Sequence, residues 1–255
     1  MRRFLLIVCA SAVALACSTV ARADDGDEGV SQFRPRPVAN ALPGFGIGIK
    51  AGTLGIGVQV GTALASRVNL RGGFNFFKYN DSLSKDGALY AGTLNLKSVE
   101  AKLDLFVIGG FRVTPGLLLY NDNNISATAA VASNQGFTLG GTTYYSNPND
   151  PVRGTAGLTM NKFAPTLGIG FGNLLPRSAR HFSLSTDLGV AFVGTPQFAL
   201  GLSGSACATS NGTNCQPASN PSVAASVEAE RVKIANDVQN FKYYPELSIM
   251  FGYKF

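Results

Sequence analysis

Charge is scarce in this chain. Only 14% of its 255 residues are Asp, Glu, Lys or Arg, against roughly 25% in an ordinary soluble domain, and mean hydropathy is positive at +0.15. So apolar a composition excludes disorder for most of the length. Long hydrophobic runs are missing as well. Beyond the N-terminus no stretch approaches the ~20 consecutive apolar residues of a spanning helix, which excludes a helical membrane protein. Histidine is nearly absent: His181 is the only one, far in sequence from every cysteine, so nothing calls for a metal or another cofactor. What is plentiful is glycine, 30 residues, and apolar side chains that must be hidden in some way other than a helix.

The N-terminus reads as an export signal. Arg2 and Arg3 precede an apolar run from Phe4 to Ala16, and Ala21-Arg22-Ala23 is a small-x-small cleavage site followed by the acidic Asp24-Asp25-Gly26-Asp27-Glu28. This is the grammar of a cleaved secretory signal, giving 1–23 as signal peptide, 24–43 as a periplasmic leader and 44–255 as the folded part. Cleavage removes three arginines, leaving 18 Lys and Arg against 15 Asp and Glu. No basic cluster then remains to suggest nucleic acid. Cys9 and Cys17 leave with the signal. Cys207 and Cys215 stay, and in an oxidising compartment they are expected to close a small disulfide loop.

From Gly44 onward a period of two dominates, the mark of β-strands with two unlike faces. Phe45, Ile47 and Ile49 alternate with Gly46, Gly48 and Lys50. Further segments follow the same rule around Ile56–Leu64, Val68–Phe76, Val99–Val107, Phe111–Leu119, Phe163–Phe171 and Phe182–Phe192. The last alternates Leu247, Ile249, Phe251, Tyr253 and Phe255 with Glu246, Ser248, Gly252 and Lys254. That makes eight strands. A soluble sandwich would turn the apolar face inward, whereas a transmembrane barrel turns it to lipid. The polar face is mostly Gly, Ser and Thr with a few ionisable groups, which suits a narrow bore. Connections also alternate between short (65–67, 108–110, 173–181) and long (80–87, 121–160, 194–242), the habit of outer-membrane barrels. The chain closes on an alternating strand ending in Phe255, the pattern of a barrel-assembly C-terminal signal. The fold class expected is therefore all-β: an eight-stranded antiparallel transmembrane β-barrel with one short helix in the last extracellular loop. A bulge is expected near Lys97-Ser98, where Leu94 and Leu96 fall out of phase. The helix is read from Asn220-Pro221, an N-cap followed by proline at the first helical position, with Val223, Val227, Ile234, Val238 and Phe241 at helical spacing.

Several segments carry a family resemblance. Ala51-Gly52-Thr53-Leu54-Gly55, Gly116-Leu117-Leu118-Leu119-Tyr120-Asn121-Asp122-Asn123, Gly168-Ile169-Gly170-Phe171-Gly172-Asn173, Asp187-Leu188-Gly189-Val190 and Phe241-Lys242-Tyr243-Tyr244-Pro245 look like a proteobacterial outer-membrane barrel family of no established activity. In architecture the chain resembles the small eight-stranded barrels typified by the membrane domain of outer membrane protein A, and no peptidoglycan-binding domain is expected after the barrel. The resemblance implies a fold and a bacterial outer-membrane location, and no substrate.

By the alternation, Arg71, Lys102, Arg112 and Lys162 face the lumen with Glu100, Asp104, Asp187 and Glu246. An eight-stranded bore is only wide enough for side chains to fill, so these charges are expected to pair into a buried network that closes it. A narrow passive channel for small or apolar solutes is the alternative. An enzymatic reading starts from His181-Phe182-Ser183, a base beside a hydroxyl of the kind lipid A deacylases use. It lacks a nearby acid, and Leu184 follows where that family has Asn, so no enzyme is expected. The partners expected are outer-membrane lipids and lipopolysaccharide and the barrel-assembly machinery, with Tyr144, Tyr145, the Cys207–Cys215 loop and the helix that follows it as exposed features to meet an extracellular partner.

Overall fold

A computed structural model describes residues 44–255 apart from 86, 178 and 179. The signal peptide and leader expected over 1–43 lie outside the described residues. Eight strands form a closed antiparallel ring: β1 (Phe45–Gly52), β2 (Gly55–Ala65), β3 (Val68–Lys85), β4 (Ala88–Ile108), β5 (Phe111–Asn121), β10 (Ala164–Phe171), β11 (Phe182–Phe192) and β15 (Tyr243–Lys254). Each pairs with the next, and β15 returns to β1 through the register Ile47–Tyr253, Ile49–Phe251 and Ala51–Ile249. Closure leaves this sheet no free edge.

The distribution of polarity is inverted. Ile49 is 64% exposed, Phe171 67% and Ile108 77%, whereas Arg112 is 0% exposed, Asp104 0% and Glu100 1%. Because successive side chains of a strand point to opposite faces, one alternation produces both sets. Ile56, Phe171 and Phe251, which a soluble sandwich would bury together, are all exposed on the outside.

The ends of the ring differ. One, the turn end, has the short β2–β3 and β4–β5 connections, the segment 172–181, and both the start of β1 and the end of β15. The other, the loop end, carries the rest of the chain, and here the long connections are not irregular loops. β3 and β4 continue past the ring as a hairpin in unbroken register from Phe76–Lys97 to Lys85–Ala88. The far half of β4 then pairs with β6 (Asn124–Val131), β6 with β9 (Arg153–Thr159), and β9 with β12 (Gln197–Ser203). A second small sheet joins β7 (Gly136–Leu139), β8 (Thr142–Ser146), β13 (Ser205–Cys207) and β14 (Cys215–Pro217). The one helix of the described residues, α1 (Pro221–Val238), starts where expected, with the Asn220 side chain accepting from the Ser222 amide at 3.0 Å. It packs on β12 and β7. Its Val223 joins Ala88, Val131, Val152 and Ala206 in a loop-end core. No helix of the described residues is long and apolar enough to cross a membrane.

The bulge expected near Lys97-Ser98 falls one residue on, between Val99 and Glu100, and its extra residue lies on the facing strand β5. The β3–β4 register runs straight, and the irregularity lies on the other side, where Val99 and Glu100 pair with Tyr120 and Leu118 and leave Leu119 unpaired. Leu96 is buried on the same face as Ser98 and Glu100. The change of phase marks the rim, where β4 leaves the ring for the outer sheet and its apolar side changes over.

Candidate functional site

The bore is filled at three levels. At the turn end, Gly172 leaves β10 with φ +90°, a conformation L side chains rarely adopt. A Cβ there would also come within 2.8 Å of Ser185 Cα. The following residues turn into the ring as a strap. Leu174 and Leu175 are buried, and Leu174 sits in a socket of strand glycines: a Cβ on Gly61 or Gly48 would approach its side chain to 2.9 or 3.1 Å, and one on Gly252 closer still. The strap is tied down by Asn69 Nδ2 donating to Asn173 Oδ1 (2.8 Å), Lys254 Nζ to the Pro176 carbonyl (2.8 Å) and Ser183 Oγ to the Leu174 carbonyl (3.3 Å). Arg177 lies over the ring of the buried Phe106, 4.5 Å from its centroid.

Above the strap lies a charge lattice drawn from seven of the eight strands. Arg71 on β3 forks onto Asp104 on β4, with Nε 2.7 Å from Oδ2 and Nη2 donating to Oδ1 at 2.7 Å; its Nη1 also reaches Asp187 on β11 at 3.1 Å. Arg112 on β5 donates to Asp187 Oδ1 at 2.7 Å, lies 3.3 Å from Asp104 Oδ1, and donates to the Gly172 carbonyl of the strap. Lys102 on β4 donates to Glu246 on β15 at 2.6 Å and stands 3.2 Å from Glu100, which also pairs with Lys50 on β1. Gln59 on β2 joins the two groups, accepting from Arg71 Nη1 at 2.8 Å and donating to Glu100. Charges are affordable here because each finds an opposite partner; an uncompensated one would carry the full desolvation cost. β10 contributes space instead of charge: a Cβ on Gly170 would stand 2.6 Å from Asp187 Oδ1 and 2.8 Å from Arg112 Cζ.

At the loop end an apolar cluster forms the third level. Leu118 and Ala164 cluster with Leu54, Ala191 and Val193, and Met160 and Tyr244 pack on them. Tyr244 donates its hydroxyl to the Thr53 carbonyl at 2.6 Å.

Of the eight lumen charges expected from sequence, seven meet in the lattice: Arg71, Glu100, Lys102, Asp104, Arg112, Asp187 and Glu246. Lys162 does not. It is exposed, because β10 begins only at Ala164; its phase is that of an inward residue, but its height is above the rim. The missing cation is Lys50, which stands in the inward phase with Gly46 and Gly48, and four positive charges still face four negative. Gln59 was legible the same way, between Gly57 and Gly61. The strap leucines had one weak signal, an apolar pair inside a turn bounded by Gly172 and Pro176.

Leu247, Ile249, Phe251 and Phe255 lie on the outside of β15, exposed, with Tyr253 half-buried in the same row. Phe255 stacks on Phe45 at 5.8 Å between ring centroids. Cys207 and Cys215 are directly paired in the small sheet and joined by a disulfide. Tyr144 and Tyr145, expected to be exposed, are half-buried. Tyr144 packs on Phe137, and its hydroxyl lies 2.8 Å from Ser226 Oγ of α1, so it serves the loop-end fold. His181 Nδ1 bonds the Lys254 carbonyl at 2.9 Å, and its ring stacks on Tyr253. Ser183 points into the bore. No base–nucleophile hydrogen bond joins these two among the described residues, which also hold no cluster of three metal-ligating side chains.

No family model and no curated protein matches the chain. Solved structures similar in fold include two from Acinetobacter baumannii. CarO is 23% identical with a TM-score of 0.54, and CarO2 is 20% identical with a TM-score of 0.53; each comparison covers 85% of this chain and 100% of the other.

Proposed function

We propose that this protein is an integral β-barrel of the bacterial outer membrane, non-enzymatic, with a bore closed to solutes and a structural or surface-interaction role carried by its loop-end sheets and helix. The membrane reading is supported by the outward face. Between the rims every outward position of the eight strands is uncharged, and β2, β5 and β11 are 11 residues long, enough for a tilted transmembrane strand. Similarity in fold to CarO and CarO2 supports the architecture. The leader signal and the outward Leu247, Ile249, Phe251, Tyr253 and Phe255 row are what export and the barrel-assembly machinery would read.

The observation that carries the closed bore is its stacking: an interlocked lattice of eight charges between the Leu174–Leu175 strap and the Leu118–Ala164 layer. Water and ions crossing it would have to part paired charges in a low-dielectric interior. Single-channel recording of the purified mature protein in planar bilayers tests this. Bare-membrane current is expected, and a steady pore conductance would replace this reading with that of a channel. Membrane fractionation, together with heat-modifiable gel migration, tests the location.

A further inference from the structure

Charge is divided unevenly between the two ends of the ring. The loop end mixes signs, with Asp81, Asp122, Glu228 and Glu230 among its lysines and arginines. The turn end does not: Arg67, Arg177, Arg180, His181 and Lys254 lie there, and among the described residues it carries no aspartate or glutamate side chain. Arg67 and Arg180 are exposed and take part in no ion pair or side-chain hydrogen bond among the described residues. Their backbones are nevertheless held. The Arg67 carbonyl accepts from the Phe106 amide at 2.9 Å, and His181, next to Arg180, accepts from the Lys254 amide at 2.7 Å.

Arg180 sits just beyond a belt of outward aromatic rings, and Arg67 just beyond an outward aliphatic pair. Phe182 stacks on Phe251 at 5.7 Å and meets Tyr253 edge-on at 5.3 Å; Tyr253 meets Phe255 at 5.2 Å, and Phe255 stacks on Phe45. Beside Arg67, Leu64 and Val107 face outward and are exposed. Aromatic side chains of this kind settle at the boundary between acyl chains and headgroups, so a guanidinium one step further out stands at the depth of lipid phosphates. An arginine fork matches phosphate oxygens with paired donors. Among the described residues no aspartate or glutamate side chain pairs with either of them.

We propose that the turn end binds the phosphate headgroups of anionic phospholipids in the leaflet it reaches, with Arg67 and Arg180 as the two contacts on opposite sides of the ring. The inference rests on the outer-membrane reading and adds to it a lipid class and two residues. Each basic group near an anionic membrane surface strengthens attraction about fivefold, so losing both arginines lowers the preference for anionic lipid by roughly twenty-five-fold.

The test uses the mature protein in vesicles of phosphatidylcholine alone or with phosphatidylglycerol. Native mass spectrometry after mild detergent extraction reads the retained lipid. The wild type is expected to keep phosphatidylglycerol over phosphatidylcholine, R67Q/R180Q to lose that selection, and the loop-end variant K78Q/K97Q to retain it. Equal selection by R67Q/R180Q and the wild type would overturn the proposal, as would a wild type that does not discriminate. Heat-modifiable migration of every sample keeps the two readings separable: a wild type that never enters vesicles would refute the membrane reading itself, whereas an inserted barrel without lipid selection refutes only this inference.

Discussion

Arg71 is the member of the bore whose removal says most. It contacts Asp104 through both Nε and Nη2, Asp187 through Nη1 and Gln59 through Nη1, all within 3.1 Å, and is 1% exposed. Replacing it with methionine keeps much of the volume but leaves three positive charges facing four negative ones. Removing one partner of a buried pair costs about 3–5 kcal/mol, mostly for the stranded charge. The strain falls on Asp104, which keeps the Arg112 contact at 3.3 Å and a hydrogen bond from Thr114 Oγ1 at 3.2 Å. R71M is therefore expected to lose about 3–5 kcal/mol, and R71M/D104N, which restores neutrality, to recover about half of it. An asparagine can still accept from Thr114, whereas Gln59 Oε1 loses its Arg71 donor in both variants, which is why the recovery is partial. Urea unfolding in lipid vesicles, followed by heat-modifiable migration, measures both variants and yields the coupling energy of a double-mutant cycle. A cost below about 1 kcal/mol for R71M, or no relief from D104N, would mean that the bore admits water to its charges, and the closed-bore reasoning would fail with it.

Leu174→Ala empties the glycine socket and is expected to cost about 2–5 kcal/mol in the same unfolding assay; an unchanged midpoint would show that the strap is not packed in the bore. Gly170→Val drives a side chain into Asp187 and Arg112 and is expected to destabilise by at least ~1–3 kcal/mol, whereas Gly92→Ala, where a Cβ would meet nothing within 4 Å, is expected to fold as the wild type does. Removing the disulfide with C207S/C215S should leave barrel migration intact while making the segment 204–218 more susceptible to limited proteolysis; loss of the heat-modifiable form would place the disulfide in the barrel's own stability.

The barrel was legible because period two has only two outcomes here. With glycine and paired charges on one face and Ile, Phe and Leu on the other, the polar face could only enclose a bore. Phase also assigned Arg71, Glu100, Lys102, Asp104, Arg112, Asp187 and Glu246 to the inside. Phase is a property of neighbours, and height along the barrel axis is not. Lys162 and Lys50 both stand in inward phase, but strand pairing places the first above the rim and the second beside Glu100. Pairing likewise set the bulge read from Leu94 and Leu96 one residue on, with its extra residue on β5.

Sequence by itself determined the closed, inside-out sheet, the start of the helix and the sign of each buried charge, since all of these follow from residues two to four positions apart. Only the tertiary structure decided that the strap enters the bore, that Gln59 joins two groups of charges, and that the long connections build sheets of their own. Those arrangements are set by contacts well beyond the two-to-four-residue period, from Gln59 with Arg71 and Glu100, 12 and 41 positions apart, to Arg71 with Asp187 and Lys102 with Glu246, 116 and 144 apart, whose energy exists only once the strands have met.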